Sequence, residues 1–297
     1  MRELLFITLI FFVFCFNVYS QRVENTPLWD KEAPYTKKSI RNDQVNERGN
    51  VQVIANPDLT IYFPKKNKTN LRSILICPGG GYSNLAINHE GHEIAKFYAD
   101  NGYIAAVLKY RLPEPEFVNS AWEVPLADAK QAIKVIRNHS EDWSIDPTKV
   151  GVLGFSAGGH LASSLSVHGT DDDGSRPDFS LLIYPVISMD SSITHAGSRR
   201  NLLREMVGTE WEFFHSNELQ VDQHTPPAFL VHSWDDKVVP VENSIRYAKA
   251  LNAYDIPVTL HLFEKGGHGY GRGNIEQHGT ASQWIDLSLV WLDQILK

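Results

Sequence analysis

The chain alternates between short, uninterrupted apolar blocks and longer blocks whose apolar residues recur every three or four positions. "SILIC" (73–77), "YIAAVLKY" (103–110), residues 150–153, "FSLLIYPV" (179–186), "AFLVHS" (228–233) and "VTLHLF" (258–263) are of the first kind. Blocks so short and so apolar are expected of strands covered on both faces, as in a parallel sheet. "EIAKFYADNG" (93–102), "PLADAKQAIKVIRNH" (125–139), residues 157–167, "ENSIRYAKALNAY" (242–254) and "SQWIDLSLVWLDQIL" (282–296) are of the second kind. Within 125–139, Leu126, Ala129, Ile133 and Ile136 share one helical face. "VQVIA" and "LTIYF" flank Asn56-Pro57-Asp58 and read as a hairpin. Strands that alternate with helices predict the α/β class, with a mostly parallel central sheet and helices on both faces. Ligands of such sheets bind beyond the carboxyl ends of the strands, so chemistry is sought in the residues that follow each strand.

The two ends of the first fifty residues read differently. Met1-Arg2-Glu3 precedes an apolar run from Leu4 to Val18 and a small residue at Ser20, the pattern of a cleavable secretory signal peptide over residues 1–20. Residues 21–50 are polar and read as an extended arm over the surface, leaving 51–297 as the α/β domain. The expected location is therefore the periplasm or the outside of the cell, with no membrane association once the signal is removed. Of the two cysteines, Cys15 leaves with the signal and Cys77 stands alone, so the mature chain has no internal disulfide and must be stabilised by its core. The net charge of −7 and the absence of a basic patch argue against nucleic-acid binding, and "PKKNKT" (64–69) reads as a solvated loop.

Four strand ends carry chemistry. "CPGGGY" (77–82) follows a buried strand, and its glycines can turn backbone N–H groups into a pocket, the arrangement of an oxyanion hole, here Gly80 and Gly81. It fits neither the dinucleotide glycine motif nor the phosphate loop with its lysine. "GFSAG" (154–158) is Gly-x-Ser-x-Gly between a strand and a helix. Such a turn raises Ser156 as a nucleophile and offers the N–H of Ala157 as a further oxyanion donor. "HSWDDKVVP" (232–240) and "EKGGHGYG" (264–271) end the last two strands and supply acids and His268. A serine that attacks an ester needs a base, and the base needs a carboxylate to orient it and stabilise its protonated form. The order Ser156, then Asp235 or Asp236, then His268 is that of the α/β-hydrolases.

These segments, together with "HEGHEIAKFYADNGYIAAVLKYRLP", "YPVISM" and "THAGSRRNLL", resemble the secreted carbohydrate esterases of the α/β-hydrolase superfamily. The similarity is to the group of acetylxylan esterases and feruloyl-esterase-like hydrolases of Bacteroidetes type, from about residue 50 to the end. The resemblance implies Ser156 as nucleophile, Asp236 as the carboxylate by the pattern D-x-V-V-P, and His268 as base. It implies no cofactor, and a substrate that is an acylated polysaccharide or oligosaccharide, acetylated xylan first. Feruloyl esters and small carboxylic esters are the alternatives, and a non-catalytic carbohydrate-binding protein on a hydrolase scaffold is the reading from another class. The family's His-Gly-Gly-Gly appears here as Pro78-Gly79-Gly80-Gly81, so whatever its histidine does for the loop must be done otherwise.

The remaining features read more plainly. His160, one turn after Ser156, is expected to pack against a neighbouring loop through a hydrogen bond. "NHEGHE" (88–93) lacks the spacing of a helical zinc signature, and Glu90 is expected to cap the next helix or brace the glycine loop. "TDDDG" (170–174) reads as a solvated turn rather than a calcium loop, so no metal site is expected. His195, Arg199 and Arg200 belong to a lid segment, where they meet substrate or form surface salt bridges. Tyr82, Trp234 and Tyr270 flank the catalytic elements and are expected to contact the sugar or the acyl group, to line the pocket wall, or both.

Overall fold

A computed structural model describes residues 21–38, 40, 42–65 and 71–297 of the chain. The expected signal peptide and most of the basic run at 64–69 lie outside the described residues. The strands are β1 (Val23–Pro27), β2 (Gln44–Val45), β3 (Val51–Val53), β4 (Asp58–Tyr62), β5 (Ser73–Cys77), β6 (Ile104–Lys109), β7 (Val150–Phe155), β8 (Ser180–Ile183), β9 (Ala228–Ser233) and β10 (Val258–Phe263). The helices are α1 (Glu93–Asp100), α2 (Val124–Asn138), α3 (Ser140–Trp143), α4 (Ser156–His168), α5 (Ala196–Leu203), α6 (Trp211–Phe214), α7 (Glu242–Ala253), α8 (Ile275–His278) and α9 (Trp284–Ile295).

Eight strands form one sheet in the order β1-β4-β6-β5-β7-β8-β9-β10. From β6 to β10 every pairing is parallel, with Leu75 opposite both Ala106 and Val152. The chain is an α/β-hydrolase by this architecture. The all-apolar strands are buried along their length, as the uninterrupted blocks require: β5, β7, β8 and β9 have no exposed residue.

The expected hairpin over residues 51–63 does not form. β3 pairs with β2 in a separate ribbon, and β4 runs antiparallel to β6 inside the main sheet. The alternation in β4 explains this, because Leu59 and Ile61 are fully buried and need the core face of a large sheet rather than a two-stranded ribbon. The start of the polar arm also differs from expectation. Residues 23–27 are the sheet's edge strand, antiparallel to β4, and Leu28 behind them is buried.

α4 lies at the centre of the molecule, with all residues from Ser156 to Ser166 buried. Its small residues permit the close approach. A Cβ on Gly158 would lie 2.1 Å from the Cys77 carbonyl oxygen, and one on Gly154 would lie 2.1 Å from the Gly158 carbonyl oxygen. The helix therefore begins directly against the ends of β5 and β7. The loops after β5, β7, β8, β9 and β10 gather at that end of the sheet.

Candidate active site

Ser156 follows β7 without a linker and holds φ at +50°, a left-handed backbone that side chains seldom adopt. The turn raises its side chain above the sheet, and the helix that starts there presents its first N–H groups to the same space. His268, in the loop after β10, places Nε2 2.9 Å from Ser156 Oγ. Its Nδ1 lies 2.7 Å from Asp236 Oδ2. The three residues named from the sequence thus meet at the ends of β7, β9 and β10.

Asp236, not Asp235, faces the imidazole. Its Oδ1 accepts the N–H groups of Val238 and Val239 at 2.8 and 2.9 Å, while His232 Nε2 stands 3.3 Å from Oδ2. Burial of its side chain alone would raise the carboxyl's pKa. The hydrogen bonds from His232 and His268 and from the Val239 amide outweigh it and hold the group well below the usual carboxylate range. The charge beside His268 is therefore fixed. Asp235 does something else. Its Oδ1 accepts the N–H groups of Gly266 and Gly267 at 3.0 and 2.8 Å and shapes the loop that carries His268.

The glycine loop, which begins at Pro78, is tied down from several sides. Tyr110 donates to the Pro78 carbonyl at 2.8 Å, Glu90 Oε2 accepts from Gly79 N–H at 2.8 Å, and Asn201 on α5 donates to the Gly81 carbonyl at 2.8 Å. Among the described residues the N–H groups of Gly80 and Gly81 find no acceptor. They remain as donors on the loop that packs against the nucleophile turn, where a Cβ on Gly79 would be 3.0 Å from Ser156 Cβ.

His195 caps α5, with Nδ1 accepting the Ser198 N–H at 3.2 Å and pairing with Ser198 Oγ at 2.9 Å. Its ring lies over the glycine loop, 3.6 Å from where a Cβ on Gly81 would sit. Burial, then the nearby cationic forms of His268 and Arg200, lower its pKa against the pull of Asp236. Arg199 pairs with Glu212, while Arg200 is exposed.

Of the three aromatics expected to meet substrate, only Trp234 is on the surface, 59% exposed. Tyr82 points inward, 1% exposed, with its hydroxyl 2.8 Å from His160 Nδ1. Tyr270 is buried against Tyr184, with ring centroids 4.6 Å apart. These two corrections share a cause: the glycine loop and the His268 loop turn back over the core, so their tyrosines fall on the inner side. His160 packs as expected, its Nε2 2.8 Å from the His215 carbonyl, and burial lowers its pKa to about 4. In "NHEGHE", residues 88–92 form a π-helical turn that sends Glu90 inward, and His92 Nδ1 lies 3.1 Å from the Tyr62 hydroxyl. Asp173 of the acidic turn pairs with Lys134. Among the described residues no group of three or more histidines, cysteines and acids is placed to hold a metal.

Asn201 and Tyr184 lie in the segments "THAGSRRNLL" and "YPVISM", but nothing in those segments marks either side chain as a site residue. Only the folded positions of α5 and of the end of β8 bring them to the site.

Known proteins share both the sequence pattern and the architecture. The BD-FAE family model matches residues 59–251. The acetylxylan esterase of Xylanibacter ruminicola is 36% identical over 206 residues, 68% of this chain and 42% of that protein. Endo-1,4-beta-xylanase B of Butyrivibrio fibrisolvens is 38% identical over 212 residues, 68% of this chain and 33% of that protein. The chain thus spans less than half the length of these two relatives. Among solved structures, the acetyl ester-xyloside bifunctional hydrolase from Caldicellulosiruptor lactoaceticus superposes with a TM-score of 0.76 at 35% identity, covering 92% of this chain and 96% of that one.

Proposed function

The chain belongs to the BD-FAE family, and from that premise we propose that it is a secreted serine esterase that removes acetyl groups from a polysaccharide, xylan first. The observation that carries the reading is the continuous hydrogen-bonded chain Ser156–His268–Asp236 beside the N–H groups of Gly80 and Gly81, which have no acceptor among the described residues. Its likeness to an acetylxylan esterase and to an acetyl ester-xyloside hydrolase supports the choice of substrate. The apolar run from Leu4 to Val18 supports export.

Ser156 Oγ attacks the acetyl carbonyl while His268 Nε2 takes its proton. The carbonyl oxygen becomes an oxyanion, held by the N–H groups of Gly80, Gly81 and Ala157. The fixed charge of Asp236 stabilises the imidazolium and keeps Nδ1 protonated. Collapse of the intermediate breaks the bond to the sugar oxygen, which leaves with the proton from His268. Water then enters, His268 takes its proton, and acetate departs as Ser156 recovers its own. Trp234, exposed beside the acid loop, offers a flat apolar face to the sugar.

The test is acetate release from acetylated xylan by the purified protein beside Ser156→Ala. Release that disappears in the variant supports the reading. Serine-dependent cleavage of an aryl acetate without release from xylan keeps the mechanism and transfers the substrate to feruloyl or other esters. A folded protein that cleaves neither refutes it in favour of a binding protein.

A further inference from the structure

Glu90 is a carboxyl group 3% exposed, and the proposed mechanism gives it no role. It sits in the π-helical turn at residues 88–92, a departure from α-helix that recurs at functional sites. Both of its oxygens accept hydrogen bonds from outside that turn. Oε2 takes the Gly79 N–H at 2.8 Å, and Oε1 takes the Tyr184 hydroxyl at 2.8 Å. The Tyr184 oxygen in turn accepts the Gly271 N–H at 2.8 Å. The phenol ring lies against His268, with centroids 4.9 Å apart.

We propose that Glu90 and Tyr184 are positioning residues: a buried brace that holds the oxyanion loop and the His268 loop in fixed relation. The brace runs from Gly79, next to the free donors of Gly80 and Gly81, to Gly271, three residues after His268. It rests on the esterase reading only for its catalytic consequence, since the contacts themselves stand apart from any substrate.

Three further facts agree. Tyr184 is held at φ +36°, a conformation that persists only where the surroundings over-determine it. Burial, and then the Glu90 charge, raise its hydroxyl well above the ordinary tyrosine range, so it stays a donor to Glu90. A Cβ on Gly79 would lie 2.7 Å from both Glu90 Oε2 and the Phe155 carbonyl, so the loop is pressed between the brace and the nucleophile turn.

The test uses two near-isosteric substitutions, Glu90→Gln and Tyr184→Phe, and two readouts on each. Glutamine cannot accept from both donors, and phenylalanine keeps the ring while losing the hydroxyl. Amide hydrogen exchange is followed in peptides over 77–82 and 266–272. Each variant is expected to speed exchange in both peptides by about tenfold, because the brace joins them. On an aryl acetate, each is expected to lower kcat by roughly 10- to 100-fold with KM within about threefold, as misplacement of oxyanion donors does. The double variant is expected to be little worse than either single one, the mark of groups acting as a unit. Loosening confined to the loop that each substituted residue touches directly overturns the brace, as does a folded pair of variants with unchanged kcat. Should the wild-type protein cleave no ester, the esterase reading fails, and the exchange pattern still decides the brace.

Discussion

The substitution Gly158→Ala adds one methyl group at the point where the helix of the proposed nucleophile meets the proposed oxyanion loop. The new Cβ would stand 2.1 Å from the Cys77 carbonyl oxygen and 2.5 Å from that of Pro78. An ordinary carbon–oxygen contact is about 3.3 Å or more. The start of α4 and the end of β5 must therefore separate by about 1 Å. Both neighbours are backbone, so no side chain can swing away to absorb the change. Ser156 and Ala157 ride on α4, whereas Gly80 and Gly81 continue from β5, so the separation opens the proposed oxyanion site itself. A displacement of that size costs on the order of 100-fold in rate, or about 2.7 kcal/mol of transition-state stabilisation. Global stability is expected to fall by no more than about 2.5 kcal/mol. Overpacking costs ~1–3 kcal/mol, and replacing a helical glycine with alanine returns ~0.5–1 kcal/mol. The assay is kcat/KM on 4-nitrophenyl acetate, with thermal unfolding followed by circular dichroism. A folded variant within threefold of wild type would show that α4 and the glycine loop do not jointly build the oxyanion site.

Asp236→Asn should lower kcat by roughly 10³- to 10⁴-fold while Asp235→Asn lowers it far less, and steady-state kinetics on the same ester separate the two. Trp234→Ala should raise KM for acetylated xylan by about tenfold and leave the aryl acetate nearly unaffected, because the contact is to the sugar and not to the reacting carbonyl. Burial lowers the pKa of His160 and His168 to about 4 and of His215 to about 3, so the folded chain binds fewer protons than the unfolded chain below the ordinary histidine value. Stability is then fully present above about pH 6.5 and is lost as pH falls toward 4, which urea unfolding at pH 7.5 and 5 will reveal as a lower midpoint. His215→Phe should weaken that loss without destabilising the protein at pH 7.5. Both His215 ring nitrogens are buried without a hydrogen-bond partner among the described residues, and the ring sits among Trp122, Trp211 and Phe214. An unchanged slope between the two pH values would remove His215 as a source of the acid sensitivity.

What the sequence could disclose depended on how local each constraint is. Gly154, Ser156 and Gly158 lie within five residues, and the strand, turn and helix that require them are adjacent in the chain, so the nucleophile turn is legible before any fold is known. The sheet's centre is legible for the same reason, since a strand buried on both faces needs no knowledge of its partners to be apolar. The edge strand β1 escapes this logic. Its residues alternate between exposed and half-buried, and a polar half-strand becomes a strand only because β4 offers it a free edge. Asp236 and Asp235 show the limit most sharply. They are neighbours with the same chemistry, and both accept hydrogen bonds near His268, one from its ring and the other from the backbone N–H groups of the glycines before it. Only a resemblance to other chains could rank them beforehand. The link between Glu90 and Tyr184 lies further out of reach, since the two are 94 residues apart and joined by one hydrogen bond whose worth depends on what each end holds. Motifs name the groups that touch the reacting atoms, because their spacing is set by a turn. The groups that keep two such motifs in register are fixed by the fold as a whole: the sequence offers Glu90 as a brace for the glycine loop, but not Tyr184 or the second loop that it reaches.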